Sequence, residues 1–113
     1  MITLPVRDKF LFIPYWRRQT FNFSMAAWFQ FYDEMGWDLN AIDKMDMVRA
    51  SAKMIYYAAM QGNFSKGKPF RWTFEQFTTQ VAGMRYGDGE RLREQFIISS
   101  KVVREKMAGS KKK

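Results

Sequence analysis

The sequence predicts an all-α protein: a small single-domain bundle of about four helices with a short extended or hairpin N-terminal segment. Apolar residues recur at three- and four-residue spacing through most of residues 24–107, and glycines together with a Lys-Gly-Lys-Pro loop separate the periodic segments. The chain of 113 residues is long enough for one core but too short for two. We therefore divide it into an extended segment (1–23), a helical domain (24–107) and a disordered basic tail (108–113).

The N-terminal segment combines strand-like alternation with proline. Phe10-Leu-Phe-Ile13 is an apolar run, and Thr20-Phe-Asn-Phe23 alternates as a strand does. Pro14 follows the first run directly. Because proline cannot donate a hydrogen bond to a β ladder, Pro14 predicts a break and hence two short extended pieces, either separate or paired as a small hairpin.

The first helix has clear signals at both ends. Ser24 predicts its N-cap, and Gly36 predicts its end. Trp28, Phe29 and Tyr32 share the apolar face of this helix, so we expect all three in the core.

The second helix is predicted to be central. Asp43 or Asp46 would cap its start, and it would end near Gln61, before Gly62 and Asn63. Apolar residues nearly encircle its second half, which predicts that other elements cover it on several sides.

Two further helices follow the Lys-Gly-Lys-Pro loop. Thr73-Phe-Glu-Gln76 is a capping-box sequence and predicts the start of the third helix. Gly87 and Gly89 are expected to break the chain, after which Asp88 caps a last helix that continues to about Met107. The side chains expected to face the core from this helix are Leu92, Phe96, Ile97, Val103 and Met107.

Composition argues against an enzyme. The chain has no Cys and no His, so it has no thiolate nucleophile, no disulfide, no zinc site of the usual ligands and no near-neutral imidazole base. Asp33 with Glu34, and Asp43 with Asp46, are better explained as solvated or capping residues than as an acid–base pair. We therefore expect no catalytic residue, no metal site, no cofactor and no enzymatic activity.

The N-terminus also lacks the features of an export signal. Its first residues do not form a basic region followed by an unbroken apolar stretch, and no run approaches the roughly 18 apolar residues of a membrane span. We therefore expect a cytoplasmic protein without a membrane partner.

Positive charge is concentrated at the two ends of the chain. Residues 1–23 carry four basic and one acidic side chain, residues 24–84 carry six of each, and residues 85–113 carry nine and four. A solvated helix face explains much of the C-terminal excess. The alternative is phosphate binding by the basic residues near both termini, with Tyr15 and Trp16 as stacking platforms. The residues that would contact phosphate in this alternative are Arg17, Arg18, Lys111, Lys112 and Lys113, together with Arg7 and Lys9.

Four segments between Phe21 and Met84 resemble the tail assembly chaperone family of long-tailed bacteriophages. They are Phe21-Asn-Phe-Ser24 before the first helix, Glu34-Met-Gly-Trp-Asp-Leu39 at its end, Ile55-Tyr-Tyr-Ala-Ala59 in the second helix and Trp72-Thr-Phe-Glu-Gln76 at the start of the third.

This resemblance implies a non-enzymatic, all-helical factor of the host cytoplasm. Such a factor binds the tape-measure protein, helps recruit tail-tube subunits and is absent from the finished virion. Many members are also made in a longer, frameshifted form. The run Lys111–Lys113 fits a slippery codon run, and it equally fits a tail that aids solubility.

The large aromatic content predicts a partner surface. Aromatics form 18% of the residues and there are 9 Met, more than a core of this size needs, so we expect a client-binding protein or a homo-oligomer. Aromatics at helix boundaries are the candidate client contacts: Phe21, Phe23, Trp37, Phe64 and Trp72. The competing hypotheses are a small basic nucleic-acid-binding protein and a virion structural adaptor.

Overall fold

A computed structural model describes residues 1–35 and 47–111 of the chain. In these residues two strands precede four helices: β1 (Ile2–Phe10), β2 (Ile13–Phe21), α1 (Met25–Met35), α2 (Met47–Ser65), α3 (Phe74–Ala82) and α4 (Tyr86–Lys111). The prediction of an all-α protein is wrong. The fold is mixed α and β, because two nine-residue strands pair antiparallel into a hairpin.

The two extended pieces predicted in residues 1–23 are confirmed as the strands of a hairpin, but the chain turns at Leu11–Phe12 and not at Pro14. The strands pair with Phe10 opposite Ile13 and Lys9 opposite Pro14, so Pro14 lies inside β2. A two-residue turn is closed by a hydrogen-bonded pair, and such pairs alternate with non-hydrogen-bonded ones along an antiparallel ladder. Pro14 and Pro5 therefore both occupy positions whose backbone nitrogen points away from the partner strand, where the missing N–H costs no ladder bond.

The base of the hairpin is part of the core. Seven buried residues from the hairpin and the helices form what we call the hairpin cluster: Leu4, Val6, Phe21, Ala58, Ala59, Phe77 and Leu92. The rings of Phe21 and Phe77 lie 6.1 Å apart between centroids. Residues 1–23 thus share a core with the helices.

The hairpin and α2 meet at a glycine. A Cβ atom built on Gly62 would lie 2.0 Å from the backbone oxygen of Thr20, so only glycine fits at this crossing. Near it, the backbone N–H of Asn22 donates to the oxygen of Ala58 at 2.9 Å. The helix end predicted at Gln61 is therefore wrong, because Gly62 permits close approach and does not terminate the helix.

A second cluster joins α1 to α2 and α4. The α1 cluster consists of Ala27, Trp28, Phe31, Tyr32, Ala50, Met54 and Val103. The predicted burial of Trp28 and Tyr32 is confirmed, whereas Phe29 is 47% exposed and is not a core residue. The N-cap prediction is confirmed as well, since the Ser24 hydroxyl accepts a hydrogen bond from the Ala27 N–H at 3.3 Å.

The capping box at the start of α3 is confirmed. The Gln76 N–H donates to the Thr73 hydroxyl at 3.2 Å, and the Thr73 N–H donates to the Gln76 side-chain oxygen at 3.0 Å. The helix boundaries predicted at Gly36 and at Asp43 or Asp46 lie outside the described residues.

The last helix is longer than predicted. It begins at Tyr86 and includes both glycines that were expected to precede it. Asp88 lies in its first turn and accepts a hydrogen bond from the Arg85 side chain at 3.0 Å instead of acting as the N-cap. The helix continues past Met107 to Lys111, so residues up to Lys111 are helical where a disordered tail was predicted.

Candidate functional site

An apolar groove with a volume of about 560 Å³ opens between α2, α3 and α4, and we call it the helix groove. Its lining residues are Ser51, Ala52, Ile55, Phe77, Thr78, Val81, Met84, Gly89, Leu92, Arg93, Phe96 and Ile97. The five residues that α4 contributes recur at three- and four-residue spacing and thus form one face of that helix.

The groove exists because α4 reaches both buried clusters without packing closely on α2 between them. Leu92 belongs to the hairpin cluster and Val103 to the α1 cluster. Between these two anchors, Phe96 is half-buried and Ile97 is 40% exposed. Ile97 was predicted to face the core, and it instead lines an open groove.

The lining residues determine what this groove can bind. They include no carboxylate, and Arg93 is the single charged side chain among them. Such a surface offers no general acid–base pair, but it fits the apolar face of an amphipathic helix, whose side chains recur with the same spacing.

The predicted client contacts lie in different environments. Phe21 is fully buried in the hairpin cluster, so it is a core residue and not an accessible contact. Phe23 is half-buried, with its ring edge-on to Phe96 at 6.1 Å. Phe64 is 55% exposed at the C-terminal end of α2. Trp37 lies outside the described residues.

The remaining predicted contact, Trp72, lies in a second depression, the basic pocket, with a volume of about 450 Å³. Its lining residues are Thr3, Arg17, Arg18, Thr20, Asn63, Lys66, Lys68, Pro69 and Trp72. Four of these side chains are cationic and none is acidic. The pocket is therefore suited to an anionic group.

Arg17 lines one side of the basic pocket and is held in place by neighbouring side chains. Its guanidinium donates to Asp8 at 3.1 Å, to Gln19 at 2.5 Å and to Gln80, and it lies 4.0 Å above the centre of the Trp72 ring. Burial lowers the pKa of Arg17 below its ordinary value, and the charge of Asp8 opposes that shift. With its donors already engaged, Arg17 mainly orders the pocket.

The other cations of the pocket are free to face a ligand. Arg18, Lys66 and Lys68 are exposed. The sequence prediction named Arg17 and Arg18 as phosphate contacts but missed both lysines, which it treated only as part of a loop. Lys111 ends α4, far along the chain from this pocket, and residues 112–113 lie outside the described part.

Comparisons of the chain with protein-family models, with curated proteins and with solved structures gave no match. The resemblance to tail assembly chaperones therefore stays a prediction from the residues quoted above. In the described ranges 1–35 and 47–111, no group of three or more acidic side chains is arranged to hold a metal ion.

Proposed function

We propose that this chain is a tail assembly chaperone, a non-enzymatic factor that binds an amphipathic helical segment of a tape-measure protein and helps recruit tail-tube subunits. The observation that carries the proposal is the helix groove, an open apolar surface formed by three helices. A chaperone for a long helical ruler such as a tape-measure protein needs an exposed apolar groove that binds without chemistry.

The dimensions of the groove support a helix as the ligand. The α4 residues that line it extend from Gly89 to Ile97, which is about 12 Å along a helix axis. A helix lying beside them would contact the groove over roughly two turns, through three or four apolar side chains.

The character of the lining side chains supports a client that varies along its length. Met84 and Phe96 lie in the groove, and thioether and aromatic side chains adapt to differently shaped apolar partners. Arg93 at the same surface would attract an acidic residue that flanks the apolar stripe of the client.

Two adjacent residues of α4 provide a matched test. Ile97 lines the groove and is 40% exposed, whereas Ile98 lies outside it and is 56% exposed. A carboxylate at position 97 would be desolvated by a bound helix, at a cost of about 2 kcal/mol or more. We expect Ile97→Asp to lower affinity for the tape-measure protein of the same genome at least about tenfold, and Ile98→Asp to leave it unchanged.

The measurement is co-purification followed by titration of the purified complex. Circular dichroism would establish that both variants keep the wild-type helix content. Loss of binding in both variants alike, or no binding by the wild-type chain, would contradict the proposal.

The basic pocket favours a second candidate, a small nucleic-acid-binding protein. Arg18, Lys66 and Lys68 surround Trp72, which places cations for phosphates beside an aromatic ring. This candidate predicts binding of single-stranded nucleic acid that weakens as salt rises. A Lys66→Gln, Lys68→Gln double variant should reduce the slope of log affinity against log salt concentration by the equivalent of about two phosphate contacts. An unchanged slope would exclude the pocket as the nucleic-acid site.

A further inference from the structure

Four consecutive large apolar side chains at the turn of the hairpin are exposed to solvent. Phe10 is 69% exposed, Leu11 77%, Phe12 96% and Ile13 66%. Phenylalanine side chains present about 150–250 Å² each, so this tip alone approaches the largest apolar patch of a typical monomer, about 300–600 Å². We call these four residues the hairpin tip.

The tip stands well away from the core. Val6 is fully buried, and Leu11 follows it by five residues along an extended strand. A strand rises about 3.4 Å per residue, which places the turn roughly 17 Å beyond the last fully buried residue of β1. The four side chains of the tip lie within roughly 7 Å of the end of the hairpin.

Aromatic and basic side chains lie next to the tip. Tyr15 and Trp16, two and three residues behind it on β2, are 40% and 45% exposed. The guanidinium carbons of Arg7 and Arg85 lie 4.8 Å and 5.6 Å from the centre of the Trp16 ring. Lys9 is exposed beside them. Apolar, aromatic and cationic side chains therefore lie together at this end of the hairpin, and a bilayer offers acyl chains, an interface and anionic headgroups to such a combination.

At the residue pair next to the tip, no backbone N–H is left without a hydrogen-bond partner. At the pair Lys9–Pro14 both nitrogens point outward, as derived above from the hairpin register. Proline has no N–H, and the Lys9 N–H donates to its neighbour's carboxylate, Asp8 Oδ1, at 2.7 Å. At this pair, therefore, neither edge of the hairpin offers a free N–H to another strand.

We propose that the hairpin tip inserts into the headgroup–acyl boundary of an anionic membrane and anchors the protein there peripherally. Insertion of about 5–10 Å, as for other interfacial elements, would immerse the tip and leave Trp16 at headgroup level. No helix in ranges 1–35 and 47–111 is long and apolar enough to cross a bilayer.

Charge favours lipid over a second copy of this chain. The hairpin carries four basic and one acidic side chain, and the helix groove, the apolar surface that could receive the tip of another copy, is charged only by Arg93. Like charges would meet in that contact, whereas anionic headgroups complement the hairpin. This anchoring is independent of the proposed chaperone function.

The test is co-sedimentation of the full chain with vesicles of phosphatidylcholine alone and of phosphatidylcholine mixed with phosphatidylglycerol. We expect binding to the mixed vesicles that weakens as salt rises. Phe12→Ser should lower that affinity at least about tenfold, and Lys9→Gln about fivefold. Phe64→Ser is the matched control, since Phe64 is 55% exposed at the far end of α2, and it should leave vesicle binding unchanged.

Three results would overturn the proposal. The first is no binding to mixed vesicles by the wild-type chain, and the second is an equal effect of Phe12→Ser and Phe64→Ser. The third is a Phe12→Ser variant that binds vesicles normally but loses self-association in sedimentation equilibrium, which would assign the tip to a second copy. Circular dichroism of each variant would establish that it is folded, so that a loss of binding is not caused by misfolding.

Discussion

The base and the tip of the hairpin contain the same kinds of residue in opposite environments. At the base, Leu4 and Phe21 are completely buried among helices, whereas at the tip Phe10 and Phe12 are more than two-thirds exposed. The alternation of apolar residues in the two strands is similar, so it does not distinguish them. What differs is the presence of a covering element, since α2 approaches the strands at the base and nothing in the described chain reaches the tip.

The same contrast applies to α4. Leu92 and Val103 are covered and stabilise the fold, while Ile97 lies on the same helix with its side chain open to the helix groove. Covered apolar side chains should therefore determine stability, and open ones should determine binding. The following predictions test this distinction, from the largest effect on stability to the smallest.

The close contact between α2 and the hairpin gives the largest expected effect. In Gly62→Ala the added Cβ would overlap the Thr20 backbone oxygen, so the hairpin base and helix must separate, at a cost of about 3 kcal/mol or more. Gly87→Ala is the control. A Cβ there meets nothing within 4 Å, and it should raise stability by about 0.4–1 kcal/mol. Urea denaturation of both variants makes the comparison.

Two phenylalanines at opposite ends of the hairpin give a matched pair. Phe21→Ala leaves a cavity beside Phe77 and should cost about 3–5 kcal/mol, while Phe12→Ala removes an exposed ring and should change stability by less than about 0.5 kcal/mol. Thermal unfolding measures both. Equal destabilisation would mean that the tip is covered in the folded protein.

The middle of the hairpin depends on a polar network. Arg17→Met leaves the carboxylate of Asp8, whose side chain is 15% exposed, without its ion pair, and we expect a loss of about 2 kcal/mol. Removing both charges with Asp8→Asn and Arg17→Met should cost less than the sum of the single changes. An additive double-mutant cycle would show that the pair is not coupled.

A substitution in the turn of the hairpin should increase the stability of the protein slightly. Leu11 has φ of 58°, a left-handed conformation that asparagine adopts more easily than leucine. Leu11→Asn should therefore raise stability by about 0.5–1 kcal/mol in chemical denaturation while shortening the apolar tip. A loss of stability would show that the Leu11 side chain has packing partners in the folded state.

Local signals predicted local structure well. The Ser24 cap and the Thr73–Gln76 capping box follow from hydrogen bonds within one turn, so a few adjacent residues were enough to predict them. The continuation of β2 through Pro14 was missed for the opposite reason. Whether Pro14 breaks a strand depends on the position of the turn, and Leu11–Phe12 carries none of the glycine or asparagine typical of such turns.

Features that depend on distant segments could not be predicted. Gly62 has the pattern of a helix end, and its actual role requires knowing that Thr20 lies against it. The spacing of Phe96 and Ile97 identifies one face of α4, but not whether another helix covers that face. Likewise, Lys66 and Lys68 join Arg18 in one pocket only through the tertiary fold.

The most direct test of the proposed function asks which open apolar surface contacts the client. A photoreactive aliphatic residue would be placed at position 97, 98 or 12 of the full chain, and each protein would be irradiated with the tape-measure protein of the same genome. We predict a cross-link from position 97 to a helical segment of the tape measure, and none from positions 98 and 12. Cross-links from position 12 alone, or none from position 97, would contradict the assignment of the helix groove as the client site.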